Sequence, residues 1–238
     1  VLTFNTWLLS PPLGIGSAEH INERLKIMPT LLAETGADLI ALQEVWNNRY
    51  RDALINEMER FGYQAHKGKG ETCIGFGSGL LIFSKLQTDG KVEEMNFSVH
   101  TRMDESFVSK GVLGIRTLIP DLGWMDFYDA HLGAVSFREK KDSYDPGHAR
   151  KRLVQAEELA KWIKQTSAES TAILAVDLNT HYRVYQNGAR IADLEPEYRL
   201  LVEPGYGSAG LGWIDGFRFL NGGVGQEPPA YTFEKNNP

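Results

Sequence analysis

Apolar and polar positions follow two rhythms along this chain. "VLTFNTW" (1–7) is rich in strand formers and stops at Ser10-Pro11-Pro12, which predicts a strand and then a loop. Ile21, Leu25, Met28 and Leu32 recur at helical spacing, with Gly36 at the position of a C-terminal cap, so residues 21–35 are predicted helical. "ADLIALQEV" (37–45) is a near-continuous apolar run, the pattern of a buried strand. Tyr50, Leu54 and Met58 share a face of a second helix over 49–60. "GSGLLIFSK" (77–85), "KGVLGIRTLI" (110–119) and "WMDFYDAHL" (124–132) read as further strands. Leu153, Ala156, Ala160 and Ile163 form the stripe of a long helix over 148–165, and "TAILAVDLN" (171–179) is a strand. After it, Gly and Pro become frequent and loops are expected.

Strands apolar on both faces need a cover on each side. A doubly wound parallel sheet provides one, and so do two stacked sheets. Strands between 77 and 132 with no helix among them favour two stacked mixed β-sheets flanked by helices, a four-layer α/β/β/α sandwich. No repeat, low-complexity tract or linker divides the chain, so residues 1–238 are read as one domain.

Composition narrows the function classes. Hydrophobic residues make up 42% of the chain, enough for a sizeable core. The formal net charge of -6 disfavours general attraction to a polyanion, so nucleic acid is an unfavoured partner. Basic residues do cluster at Arg138, Lys140, Lys141, Arg150, Lys151 and Arg152, but Glu139, Asp142 and Asp145 dilute them, and a solvated face is the default reading. Cys73 is the only cysteine, which excludes an internal disulfide and fits a cytosolic or a bacterial secreted protein equally. No apolar run approaches the ~18 residues of a membrane span. The chain opens at Val1 inside a predicted strand, so a preceding segment is expected.

The polar residues of interest stand at strand ends. Glu44 closes one apolar strand, Asp177 and Asn179 close another, His131 closes a third, and Asn5 lies near the end of the first. The spacing of two puts Asp177 and Asn179 on one face. Carboxylate and amide oxygens suit a hard cation such as Mg²⁺, and the remaining groups suit a phosphoryl oxygen. Taken singly, each has a plain structural reading, as a capping carboxylate, a turn-forming Asn or a satisfied core histidine.

In this order, "FNTW", "LQEVW", "GSGLLIFSK", "YDAHL" and "DLNTH" resemble the endonuclease/exonuclease/phosphatase superfamily, with its deoxyribonuclease-I-like fold. The wording is most similar to that of neutral sphingomyelinases. "LQEVW", "GSGLLIFSK", the segment from Ala130 to Ile163, "ESFVSKG" (105–111) and "TFEKNNP" carry that likeness. Glu105 stands where that family has Asp five positions before its Lys-Gly pair, and Val176 stands where it commonly has Gly.

The resemblance implies a phosphodiesterase dependent on Mg²⁺, or on Mn²⁺ or Co²⁺, that cleaves sphingomyelin to ceramide and phosphocholine. It implies Glu44 and Asn5 as metal ligands. His131 and Asn179 would act on phosphoryl oxygens, and Asp177 would orient the attacking water or the base. Lys110 would add positive charge, with a solvated strand-end lysine as its plain alternative. The superfamily's usual general base is a histidine in a closing Ser-Asp-His segment. This sequence stops before it, so the printed chain is expected to be catalytically crippled. Sphingomyelin as substrate implies peripheral membrane contact, and no obligate protein partner is evident. "LLSPPLGIG" (8–16) is a candidate apolar patch, and Trp46, Trp124, Trp213 and Tyr206 are candidate faces for a quaternary ammonium by residue type alone. The alternatives are an inositol phosphate phosphatase, a nuclease, or a non-catalytic lipid- or protein-binding domain.

Overall fold

A computed structural model describes residues 1–9, 18–68, 77–101, 108–134, 146–168, 170–180, 184–186, 189–192, 196–206 and 211–220. Two four-stranded sheets form its centre. The first runs β1 (Leu2–Asn5), β2 (Leu39–Gln43), β4 (Leu81–Ser84), β3 (Gln64–Lys67). The second runs β5 (Thr88–Asn96), β6 (Gly111–Ile119), β7 (Gly123–His131), β8 (Ala172–Asp177). Each sheet holds one parallel pair, β1 with β2 and β7 with β8, and its other pairings are antiparallel.

Alternation along the strands sorts the core into three layers. Leu39, Ala41 and Ile82 of the first sheet meet Leu113, Ile115, Phe127 and Ala175 of the second. Ile40, Leu42, Leu81 and Phe83 point outward against α1 (Ile21–Glu34) and α2 (Asn48–Arg60). Val112, Tyr128, Ala130 and Leu132 point the other way, against α3 (Pro146–Thr166). The four-layer α/β/β/α sandwich expected from the sequence is the architecture present. Of the stripes read from the sequence, Ile21, Met28, Leu32, Leu54, Met58, Ala156, Ala160 and Ile163 are buried.

The structure also contains elements that the pattern did not predict. β3 and β5 are edge strands with exposed polar residues, so neither reads as an apolar run. The stretch read as loop includes a small hairpin, β9 (Val184–Gln186) with β10 (Ala189–Ala192). It also includes α4 (Pro196–Val202) and α5 (Gly216–Leu220). These are too short to show a helical period. α4 docks on α3 through a buried ion pair, Arg152 Nε to Glu197 Oε1 at 3.1 Å. No helix among the described residues is long and apolar enough to cross a membrane.

A buried polar bridge joins the sheets. Gln43 Nε2 on β2 donates to Asp129 Oδ1 on β7 at 2.6 Å, and also reaches Thr3 Oγ1 at 3.1 Å. Burial holds the Asp129 carboxyl well above the usual carboxylate range, against the opposing hydrogen bonds from Gln43 and Leu81. The folded chain therefore retains that proton at pH values where the unfolded chain has released it. Stability contributed at this site falls as pH rises from the ordinary carboxylate range toward the raised folded value. Asp129→Asn keeps the shape and has no proton to lose. Urea unfolding at stepped pH should show a flatter slope for the variant, and identical slopes would remove Asp129 from the account.

Candidate active site

The parallel pairs bring the site together. In β7 and β8, His131 stands opposite Asp177 in register, and in β1 and β2, Asn5 stands opposite Gln43, the residue before Glu44. Parallel strands end on the same side, so each pair delivers two polar residues to one rim. The rims of the two sheets then meet. Asn5 Nδ2 donates to Glu44 Oε1 at 3.1 Å and to Asp177 Oδ2 at 2.7 Å. One amide thus touches two carboxylates, one from each sheet.

His131 is fully buried beneath them. Its Nε2 lies 3.1 Å from Lys110 Nζ and 2.9 Å from Asn179 Nδ2. Both neighbours are donors, so Nε2 accepts and the proton of the neutral ring resides on Nδ1. Nδ1 is itself buried without a hydrogen-bond partner among the described residues. Burial first, and Lys110 second, hold the His131 pKa well below the ordinary histidine range. The sequence reading gave this histidine a donor's part toward substrate. In this structure Nε2 faces Lys110 Nζ and Asn179 Nδ2, and in the neutral tautomer protonated on Nδ1 it accepts from both.

Lys110 is buried and not a solvated strand-end lysine. Its Nζ also donates to Leu132 O at 2.9 Å, as does Asn179 Nδ2 at 2.9 Å. Asp177 Oδ1 accepts the Asn179 backbone N–H at 3.0 Å. Desolvation pushes the Glu44 pKa up, and the Asp177 charge adds to it, while Asn5, Lys110 and Trp46 work the other way. Glu44 Oε1 and Asp177 Oδ2 lie 4.0 and 3.7 Å from His131 Nε2.

No group of three His, Cys, Asp or Glu side chains among the described residues is placed to hold a metal. The donor set nevertheless fits a hard dication. Mg²⁺ takes one or two carboxylates and completes its shell with water and substrate phosphate. Glu44 and Asp177 supply two converging oxygens, one from each sheet, held by the Asn5 amide. Asn5 is turned with Nδ2 toward the carboxylates, while its Oδ1 accepts the Trp7 N–H at 3.0 Å. As oriented, it braces the two carboxylates and presents no oxygen to a metal.

The aromatic candidates separate clearly. The Trp46 ring packs over His131, with centroids 6.0 Å apart, and rests on Gly79. It is a buried part of the site. Trp124 stands near the opposite end of β7 from His131. Trp213 and Tyr206 pack against the α3 core, Tyr206 also under the Arg199 guanidinium at 4.1 Å. Of the apolar loop 8–16, Leu8 is buried and residues 10–16 lie outside the described residues, as do Glu105, Arg138, Lys140, Lys141 and residues 221–238. The pattern reading missed Trp7, which is 50% exposed and adjoins Asn5, and Arg24, which contacts it.

Three residues of the site have left-handed backbone: Trp7 (φ 44°), Glu44 (φ 62°) and Asn179 (φ 49°). Such conformations are costly outside glycine and asparagine, and they concentrate at functional sites.

Known proteins resemble this chain in sequence and in fold. The model of the Endonuclease/Exonuclease/phosphatase family matches residues 2–225. A Caenorhabditis elegans protein named as a neutral sphingomyelinase is 29% identical over 190 residues, 75% of this chain and 40% of its own length. Human sphingomyelin phosphodiesterase 2 is 26% identical over 172 residues, 69% of this chain and 38% of its own. The matched part thus spans about two fifths of these relatives. Among solved structures, sphingomyelinase C from Streptomyces griseocarneus superposes with a TM-score of 0.62 at 19% identity, covering 76% of this chain and 64% of the other. A beta toxin mutant from Staphylococcus aureus with bound magnesium ions gives 0.62 at 16%, covering 75% and 64%. These similarities identify a shared fold.

The Trp46–Gly79 contact yields a stability test. A Cβ on Gly79 would lie 2.6 Å from the Trp46 ring, and the backbone there has φ +72°. Gly79→Ala should destabilise the fold by about 2–4 kcal/mol, from overpacking and left-handed strain together. Denaturant midpoints of the two proteins check this, and a change below about 0.5 kcal/mol would mean that the ring moves aside freely.

Proposed function

The chain belongs to the endonuclease/exonuclease/phosphatase family, and on that basis we propose that it forms the catalytic part of a divalent-metal-dependent phosphoric diester hydrolase acting on sphingomyelin. The observation that carries this reading is the shared Asn5 amide. Two carboxylates from different sheets converge on it at 3.1 and 2.7 Å, beside a buried lysine. The preference for sphingomyelin draws on the named relatives and on the sequence likeness at 41–46, 77–85 and 130–163.

In this reading Glu44 and Asp177 hold the cation, with Asn5 fixing their separation. A bound Mg²⁺ would neutralise the phosphodiester and the departing alkoxide. Lys110 adds a fixed positive charge inside a poorly hydrated site, where charge acts more strongly than in water. His131, kept neutral, anchors Lys110 and Asn179 through Nε2. Asp177 orients the attacking water. The new bond joins the water oxygen to phosphorus and the bond to the ceramide oxygen breaks. The water's proton passes to a general base, which the family resemblance assigns to a histidine outside the motifs named here. The ceramide oxygen takes up a proton from solvent, and ceramide and phosphocholine leave.

The test uses the full-length gene product on sphingomyelin vesicles, with phosphatidylcholine, an inositol phosphate and DNA in parallel. Phosphocholine release that requires Mg²⁺, stops with EDTA and is lost in Glu44→Ala is the expected result. Turnover of the inositol phosphate or of DNA instead would replace the substrate and keep the metal site. Lys110→Met should lower kcat about 10²–10³-fold with a smaller change in KM. An unchanged kcat would return Lys110 to a purely structural part.

A further inference from the structure

Trp7 is the most improbable residue to find left-handed at this site. It is bulky, and half exposure means that burial does not force its ring into place. What holds it is Arg24 on α1. Arg24 Nη1 donates to Thr6 O at 2.7 Å, Nη2 to Trp7 O at 2.8 Å and Nε to Glu19 O at 3.2 Å. Its guanidinium carbon also lies 5.6 Å from the centroid of the Trp7 ring. One planar fork therefore ties two successive carbonyls beside β1 to the chain leading into α1.

The peptide unit between Thr6 and Trp7 is gripped on both edges. Its carbonyl is held by Arg24, and its N–H donates to Asn5 Oδ1 at 3.0 Å. A peptide unit is planar and rigid, so fixing one edge fixes the other. With Oδ1 committed to that N–H, the Asn5 amide has one orientation left, with Nδ2 toward Glu44 and Asp177. We infer that Arg24 is a positioning residue for the carboxylate pair, acting through the Thr6–Trp7 peptide and the Asn5 amide. The inference rests on the reading of Glu44 and Asp177 as the cation site. Arg24 belongs to none of the sequence motifs, and the connection exists only in the folded chain.

The test is Mg²⁺ titration by calorimetry on the full-length gene product without substrate, at a temperature where every variant is folded. The proteins are wild type, Glu44→Gln, Arg24→Lys, Arg24→Gln, and Arg24→Gln combined with Trp7→Asn. Outer-shell partners of metal ligands typically contribute 10–100-fold in affinity, so Arg24→Gln should weaken Mg²⁺ binding about 10-fold or more. Arg24→Lys should weaken it nearly as much, because an ammonium cannot reproduce the planar fork. Asparagine enters the left-handed region readily, so Trp7→Asn should return part of the affinity lost in Arg24→Gln. Wild-type affinity in Arg24→Lys or Arg24→Gln, with loss in Glu44→Gln, would overturn the inference and leave the site reading standing. Wild-type affinity in Glu44→Gln would overturn the site reading itself. A loss that merely tracks melting temperature and is untouched by Trp7→Asn would also overturn the inference, making Arg24 a residue of general stability. Should Arg24→Gln fail to fold, Arg24→Lys decides by the same criterion.

Discussion

A single side-chain amide governs the geometry of this protein's working end. Asn5 Nδ2 touches a carboxylate from each sheet, across an interface where the sheets meet face to face. Behind it, Gln43 reaches Asp129 across the same interface, and an apolar layer around Phe127 fills the space beyond. Sliding one sheet over the other by a single residue would break both polar contacts and unseat the apolar layer between them. The position of two anionic oxygens is therefore tied to the packing of the whole sandwich.

The charges in this end coexist because their states differ. Burial, and Lys110 after it, push the His131 pKa down and so favour the neutral ring, whose nitrogen can accept from an ammonium that a charged ring would repel. Lys110 faces that nitrogen and a backbone carbonyl and lies within electrostatic reach of Glu44. Burial makes each of these interactions stronger and the loss of any partner more costly. Such a site is organised before substrate arrives, and the left-handed backbone at Trp7 and Glu44 is part of what that organisation costs.

Much of this was legible in the sequence, for identifiable reasons. Buried strands such as Leu39–Gln43 and Leu81–Ser84 announce themselves by apolar runs, and the residue types at their ends announce a polar rim. Edge strands β3 and β5 and the short helices α4 and α5 carry no such period, so their existence depends on neighbours that a one-dimensional reading does not see. The same limit applies within the site. Glu44, Asp177, Asn5, His131 and Asn179 are brought together as the motif order suggests. The Asn5 oxygen committed to the Trp7 N–H, the His131 nitrogen facing Lys110 and Asn179, the burial of Lys110 and the fork of Arg24 are facts of orientation, which residue identity alone does not encode.

The seat of Trp46 on Gly79 has a consequence for reading other sequences. The indole lies where any β-carbon at position 79 would stand, and it roofs the buried histidine. The two positions therefore form a joint code, in which a large flat ring at one demands the smallest residue at the other. In a lineage descended from this fold, a side chain at position 79 would require a smaller residue at 46 as well as tolerance of the left-handed backbone at 79, and shrinking residue 46 would strip the ring from over His131. Drift at 79 is thus limited twice over, by its own backbone and by the ring that covers the histidine.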